Sequence, residues 1–163
     1  MKKYLVAYAS KHGATAEIAK RIADILRNRG YEVESKRALS VRDISGYDGV
    51  VAGSAMYIGL WRKEAVRFLK KNIEQLSKLP VWLFVSGPTS GGDPNEVLKG
   101  AIYPKSLKPV IEGVKPRSIT CFGGKIENKA LGPFERWIVR NVNAKEGDFR
   151  DWKAIESWVG TIS

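Results

Sequence analysis

Six residues near the amino terminus have the types and spacing needed to bind an anion. They are Ser10, Lys11, His12, Gly13, Ala14 and Thr15. They follow an apolar run at 4–9 and precede an amphipathic pattern from Ala16 to about Arg29, which predicts a strand, a turn and a helix. A helix N-terminus presents free backbone N–H groups and the positive end of the helix dipole. The segment therefore favours a phosphate as its ligand.

Two further loops at predicted strand ends are suited to a flat ring beside that phosphate. One follows the apolar run at 49–54 and contains Ser54, Ala55, Met56, Tyr57, Ile58 and Gly59. The other follows the apolar run at 81–85 and contains Ser86, Gly87, Pro88 and Thr89. Tyr57 or Trp61 can stack on such a ring, although core packing is an equal alternative for Trp61.

The elements that must position these loops alternate between strands and helices. Strands are predicted at about 3–9, 31–36, 49–54, 81–85 and 118–122. Helices are predicted at 16–29, 61–76, 95–113 with interruptions at Pro104 and Pro109, 133–143, and after Asp148 as the N-cap. This alternation predicts a three-layer α/β/α sandwich with a five-stranded parallel sheet in the order 2-1-3-4-5. The three loops would then meet where the strand order reverses.

Two common nucleotide-binding motifs are absent from the sequence. The first turn lacks the G-x-G-x-x-G fingerprint of dinucleotide-binding folds. The pair Gly124-Lys125 is followed by Ile126, and Ile119 stands where a P-loop would begin with glycine. Both observations disfavour ATP, GTP and the usual mode of NAD binding.

Composition restricts the classes of partner. The chain has 163 residues, of which 44% are hydrophobic, which suggests one domain with a sizeable core. The net charge of +11 favours anionic partners, but no nucleic-acid-binding motif accompanies it. We expect a cytoplasmic protein, because no signal-peptide pattern or long apolar run is present. Cys121 lies in an apolar strand pattern and is expected to be a small core residue.

The segment Ser10-Lys11-His12-Gly13-Ala14-Thr15 resembles the phosphate loop of flavodoxins, commonly S/T-x-T-G-x-T. Ser10, Gly13 and Thr15 match that pattern, and His12 stands where a hydroxyl residue is usual. The resemblance implies a flavodoxin-like fold and FMN as the cofactor. It also implies that the loop at 10–15 binds the FMN phosphate and that the loops at 54–59 and 86–89 enclose the isoalloxazine ring.

A closer resemblance is to the branch of menaquinone-dependent protoporphyrinogen oxidases. It is carried by Gly53-Ser54-Ala55-Met56-Tyr57-Ile58-Gly59, by Gly123-Gly124-Lys125, and by Gly147-Asp148-Phe149-Arg150-Asp151-Trp152. This resemblance implies an oxidoreductase that transfers electrons from a protoporphyrinogen-type substrate to a quinone or another acceptor. A small electron shuttle with the same FMN site is the alternative. We predict no catalytic side chain and no metal site, because the flavin itself supplies the chemistry.

A segment at about 129–145 interrupts this single domain and is predicted to be a basic amphipathic helix. Phe134, Trp137, Ile138 and Val142 share one face, and the basic residues are Lys129, Arg136, Arg140 and Lys145. Such a helix suits peripheral contact with an anionic membrane, and docking on the sheet edge is the alternative.

The proposed flavin loops contain a single carboxylate, Asp93, at their margin. Repulsion of an anionic reduced flavin should therefore be weak, and we expect a higher potential for the last electron than in acidic flavodoxins.

Overall fold

A computed structural model of the chain describes residues 1–87, 93, 95, 101–126, 132–133, 135–137 and 147–163. Short 3-10 turns lie at Ala38–Ser40 and Lys105–Leu107. The helices and strands, in chain order, are β1 (Lys3–Ala9), α1 (Ala14–Asn28), β2 (Glu32–Arg37), β3 (Gly49–Tyr57), β4 (Leu60–Trp61), α2 (Lys63–Lys71), α3 (Ile73–Leu76), β5 (Val81–Ser86), α4 (Lys108–Val114), β6 (Ser118–Phe122), β7 (Lys125–Ile126), β8 (Gly147–Asp148) and α5 (Trp152–Val159).

The main sheet has the predicted topology. Its long strands are parallel and lie in the order β2-β1-β3-β5-β6, which is 2-1-3-4-5 when the five predicted strands are numbered along the chain. β4 adds a short sixth strand, antiparallel to β3, that pairs Leu60 with Tyr57. The prediction of an α/β fold with a parallel sheet between helices is confirmed.

Alternating side chains of the sheet enter two buried clusters. Tyr4 and Val6 belong to one cluster together with residues of α1 and α5. Leu5 and Ala7 belong to the other cluster together with residues of α2, α3 and α4. Because neighbouring residues of a strand point to opposite faces, helices cover both sides of the sheet. The result is a three-layer α/β/α arrangement among the described residues.

The segment predicted as one helix from Trp61 to Leu76 has a different structure. Trp61 lies in β4, and α2 begins only at Lys63. Asn72 separates α2 from α3 with φ −108°, and its side-chain amide donates to the Phe68 carbonyl at 2.9 Å. An asparagine side chain competes in this way for the carbonyls of a helix, which explains the break.

Two other helix predictions need correction. In the predicted helix 95–113, Pro104 is extended and α4 begins at Lys108, with Pro109 in the first turn where its missing N–H is tolerated. Positions 94 and 96–100 lie outside the described residues. Asp148 is not the cap of the last helix, since it pairs with Lys125 in the β7–β8 ladder. Asp151 caps α5 instead, by accepting the Ala154 N–H at 3.1 Å.

Candidate functional site

The three loops predicted to form the site begin at the same edge of the sheet. Ala9 at the end of β1 is the register partner of Ser54 in β3. Ser54 is in turn the partner of Val85, and Ala55 is the partner of Ser86 at the end of β5. Because all three strands are parallel, the segments that follow them emerge side by side at the carboxyl edge, where open α/β sheets bind ligands.

The first loop leaves the start of α1 accessible. Gly13 precedes α1 with φ 89°, a left-handed conformation that favours glycine, and its N–H donates to the Ser10 hydroxyl at 3.1 Å. Within the described part of the chain, no side chain caps α1. A Cβ added at Gly13 would meet no atom of the described residues within 4 Å, so among them the space beside Gly13 is open. Backbone N–H groups, two hydroxyls and two basic side chains at one helix end form a donor set that fits a phosphate.

A carboxylate that the sequence did not indicate lies against this loop. Glu135 Oε1 is 2.6 Å from Lys11 Nζ, and Glu135 Oε2 is 2.5 Å from His12 Nε2. Partial burial raises the pKa of Glu135, but the hydrogen bonds from Lys11 and His12 outweigh that effect and lower the pKa to about 2. The loop at 10–15 therefore has an anionic side chain beside it. No local signal revealed this contact, because 123 positions separate Glu135 from His12.

The second loop is stabilised by the hydrogen bonds of a buried side chain. The Ser54 hydroxyl is fully buried, donates to the Ala55 carbonyl at 2.8 Å and accepts the Arg62 N–H at 2.9 Å. Tyr57 is half-buried and its hydroxyl lies 3.4 Å from Glu135 Oε2. Burial, followed by the charge of Glu135, raises the pKa of the Tyr57 phenol. Ser54 thus holds the second loop in place, while Tyr57 faces the same carboxylate as the loop at 10–15.

The tip of the β3–β4 hairpin exposes apolar side chains. Ile58 and Leu60 are 63% and 59% exposed, respectively. Ile58 has φ 51° and Gly59 has φ 72°, which are the dihedral signs of a type I′ turn. A β-branched residue in the left-handed region is an outlier, because its branched Cβ crowds the backbone there. The chain keeps an apolar side chain at this tip despite its conformational cost.

The third loop approaches the second closely. Gly87 donates its N–H to the Phe122 carbonyl at 3.2 Å, which continues the pairing of β5 and β6. A Cβ at Gly87 would lie 3.0 Å from Met56 Cε, so the two loops are nearly in contact. Ser86 is buried at the end of β5. Pro88 and Thr89 lie outside the described residues.

Two side chains considered for chemistry belong to the core. Trp61 is only 6% exposed, and its indole N–H donates to the Ile102 carbonyl at 2.8 Å, so the core-packing alternative describes its position. Cys121 is buried in β6, as expected, and burial raises the pKa of its thiol to about 12. A thiol with such a pKa is protonated at neutral pH and is not a nucleophile.

The inserted segment is described only in part. Residues 133 and 135–137 are helical, and the Arg136 N–H donates to the Gly132 carbonyl at 2.9 Å. Trp137 is 58% exposed. The other residues named for this helix, Lys129, Phe134, Ile138, Arg140, Val142 and Lys145, lie outside the described part.

Neither a metal-binding cluster nor a membrane-spanning helix is found among the described residues. These residues contain no cluster of histidine, cysteine, aspartate and glutamate suited to a metal ion. No helix among them is long and apolar enough to cross a membrane.

Solved structures with the same fold include several redox proteins. The rubredoxin:oxygen oxidoreductase of Desulfovibrio gigas is 15% identical with a TM-score of 0.62, over 98% of this chain and 35% of that one. Flavodoxin 2 of Bacillus cereus is 22% identical with a TM-score of 0.56, over 86% of this chain and 98% of that one. An NADH:FMN oxidoreductase is 15% identical with a TM-score of 0.54, over 89% and 91% of the two chains. At these identities the likeness concerns the fold.

The sequence itself carries the family assignment. No curated protein sequence matches the chain. The model of the flavodoxin domain family matches residues 5–153, which is most of the chain and includes all three loops of the site. The chain therefore belongs to the flavodoxin domain family, and its cofactor is FMN.

Proposed function

We propose that this protein is an FMN-dependent oxidoreductase that takes electrons from a reduced organic substrate and delivers them to a quinone or another acceptor. When bound, FMN supplies the redox chemistry, and the protein binds, orients and tunes it. The observation that carries the proposal is the meeting of the loops after β1, β3 and β5 at one edge of the sheet. The first of these loops has the donors for a phosphate, and we assign the planar ring of FMN to the edge formed by the other two.

The phosphate end of the site is assigned to the loop at 10–15. The hydroxyls of Ser10 and Thr15 and the first N–H groups of α1, from Ala14 onward, would donate to the phosphate oxygens of bound FMN. Gly13 allows the backbone to approach, because the space beside it is open. Lys11 adds positive charge, which favours an anion at this helix end, and His12 adds a ring nitrogen that can donate a hydrogen bond.

The ring end of the site is assigned to the second and third loops. With FMN bound, backbone groups of Ala55, Met56 and Tyr57 would contact the polar edge of the ring, and the Tyr57 side chain would stack on it. Ile58 and Gly59 form the turn beside the ring. The resemblance to flavodoxins assigns the opposite side of the ring to Ser86, Gly87, Pro88 and Thr89. Ser54 acts through its buried hydroxyl, which fixes the start of the second loop.

A protoporphyrinogen-type compound is the proposed substrate. The support is the resemblance of the segment 147–152 to the menaquinone-dependent protoporphyrinogen oxidases, together with the net charge of +11. The propionate groups of a tetrapyrrole are anions that a basic surface attracts. The exposed side chains of Ile58 and Leu60 supply apolar contact for its ring system or for a quinone.

Peripheral contact with an anionic membrane is the corresponding proposal for the inserted segment. It is supported by the exposure of Trp137 and by the basic residues of 129–145. Co-sedimentation with vesicles tests it: binding should require anionic lipid and should weaken when Trp137 is replaced by alanine. Equal recovery with neutral vesicles, or no binding at all, would contradict it.

A shuttle that only exchanges electrons with protein partners is the second candidate. It is favoured by the fact that the match to the Bacillus cereus flavodoxin extends over 98% of that protein. The two candidates share the FMN site and differ in whether a small organic molecule is oxidised.

Turnover with defined reagents separates the two. The purified protein should first be loaded with FMN, and the bound flavin identified. Protoporphyrinogen is then added with a menaquinone analogue, and formation of the oxidised porphyrin is followed by its fluorescence. Multiple turnovers above the rate without protein would support the enzyme. Retention of FMN without turnover, combined with electron exchange with a reductase, would support the shuttle.

A further inference from the structure

Glu135 connects the inserted segment to both halves of the site. Its two carboxylate oxygens lie 2.6 Å from Lys11 Nζ and 2.5 Å from His12 Nε2, and the second oxygen is also 3.4 Å from the Tyr57 hydroxyl. Its side chain is only 14% exposed. Among the described residues, no other carboxylate forms an ion pair with Lys11 or His12.

The Glu135 carboxylate carries a negative charge, as the phosphate of the cofactor does. A carboxylate and a phosphate are both oxyanions that accept hydrogen bonds from lysine and from an imidazole N–H. Both basic side chains of the loop are directed to Glu135. A phosphate at the end of α1 would place a second anion within a few ångströms of that carboxylate, and two like charges at such a distance repel each other.

We propose that Glu135 occupies Lys11 and His12 in the FMN-free protein and is displaced from them when the FMN phosphate binds. Glu135 thereby lowers the affinity for FMN. The proposal rests on the assignment of the phosphate to the loop at 10–15. It adds a residue that no phosphate-loop motif contains.

Flavin titrations of the apoprotein measure the competition. Glu135→Gln keeps the size of the side chain and removes its charge, so it should tighten FMN binding about fivefold to tenfold, as expected for a partly buried ion pair. Riboflavin, which has no phosphate, should bind with unchanged affinity. Glu112→Gln is the matched control, because it changes the net charge equally at an exposed pair with Lys108.

Three results of the titrations would overturn the proposal. They are an unchanged or weaker affinity of Glu135→Gln for FMN, an equal gain for riboflavin, and an equal gain for Glu112→Gln. If the wild-type protein bound FMN no more tightly than riboflavin, the phosphate assignment itself would fail. If the wild type bound FMN more tightly than riboflavin but Glu135→Gln had no effect on FMN binding, only the proposed role of Glu135 would be refuted.

His12 provides a readout that does not depend on affinity. It is the only histidine of the chain, so its ring protons give a single set of NMR signals. Without FMN, these signals should differ between the wild type and Glu135→Gln, because Glu135 contacts the ring. With saturating FMN, they should coincide. A difference that persists in the FMN-bound proteins would show that Glu135 stays on His12, and the displacement would be refuted.

Discussion

At the scale of single residues, Gly13 determines the shape of the loop at 10–15. Its φ of 89° is accessible to glycine, whereas a side chain is strained there even with open space around it. We expect Gly13→Ala to lower the free energy of unfolding by about 1 kcal/mol, measured by urea denaturation of the apoprotein.

Gly46→Ala is the matched control for this substitution. Gly46 has φ 90°, and an added Cβ would meet no atom of the described residues within 4 Å. Gly46→Ala should therefore lower the free energy of unfolding by a similar amount. Only Gly13→Ala should also weaken FMN binding. An equal loss of FMN affinity in both variants would contradict the assigned role of Gly13.

Ile58 is the second residue whose backbone conformation is informative. An Asn-Gly pair suits a type I′ turn better than Ile-Gly, because asparagine tolerates positive φ. Ile58→Asn should therefore raise the free energy of unfolding by about 0.5–1 kcal/mol. If the exposed isoleucine contacts an apolar substrate or acceptor, the same variant should raise KM. Thermal unfolding and steady-state turnover check the two effects, and a loss of stability would show that Ile58 is not strained in the turn.

Residue patterns predicted the positions of the three loops but not the contacts between them. Ser10, Gly13 and Thr15 were recognisable because they form a local motif between a strand and a helix. The contact of Glu135 with Lys11 and His12 was not recognisable from the sequence, because it depends on the position of a residue that is distant along the chain. The hydrogen bond from the Arg62 N–H to the Ser54 hydroxyl was also not predictable. A serine at the end of a strand can equally bind a ligand or stabilise its own loop.

At the scale of elements, long periodic segments were predictable and short ones were not. The strands β1, β3, β5 and β6 and the buried stripe of α1 follow directly from apolar patterns. The two-residue strand β4 has no period to detect, and its formation depends on the turn before it. The cap at Asp151 did have a local signal, an aspartate immediately before the amphipathic pattern of α5.

Arg150 joins three of these elements. Its guanidinium donates to both Asp148 oxygens, at 2.9 and 2.8 Å, and to Glu17 of α1. It also lies 4.8 Å from the centre of the Trp152 ring, and its side chain is only 5% exposed. Hydrogen bonding to Arg150 lowers the pKa of Asp148. The residue therefore links the β7–β8 ladder, whose two strands flank the inserted segment, to the first helix.

Arg150→Lys should be destabilising although it retains the charge. A lysine ammonium cannot reproduce the planar, forked hydrogen bonds of a guanidinium. We expect a loss of about 1–3 kcal/mol in the free energy of unfolding. The exposed Arg42 provides the control, since Arg42→Lys should change little. Equal stability of Arg150→Lys and the wild type, measured by chemical denaturation, would contradict the role of the forked contact.

At the scale of the whole molecule, the net charge of +11 acts on the flavin. An anionic reduced flavin is stabilised by surrounding positive charge and disfavoured by the carboxylates of an acidic protein. The potential for the last electron should therefore be higher than in an acidic flavodoxin, and the difference should shrink as salt is added. Potentiometric titration at two ionic strengths measures both effects. An equally low potential in low salt would contradict the prediction.

The organisation as one domain with an insert at 129–145 stays a prediction, because much of that segment lies outside the described residues. The family assignment extends over residues 5–153 and the two buried clusters enclose one main sheet. Charge and composition indicated anionic partners from the sequence alone. They could not identify the partner, because a basic surface attracts many anions alike.

The central claim is that the loop at 10–15 binds the phosphate of FMN. Parallel equilibrium titrations of the wild-type apoprotein with FMN and with riboflavin, followed by the quenching of flavin fluorescence, test it most directly. One FMN should bind per chain, about a hundredfold more tightly than riboflavin, because several charge-assisted hydrogen bonds depend on the phosphate. Equal affinities for the two flavins, or no saturable binding of FMN, would contradict the claim.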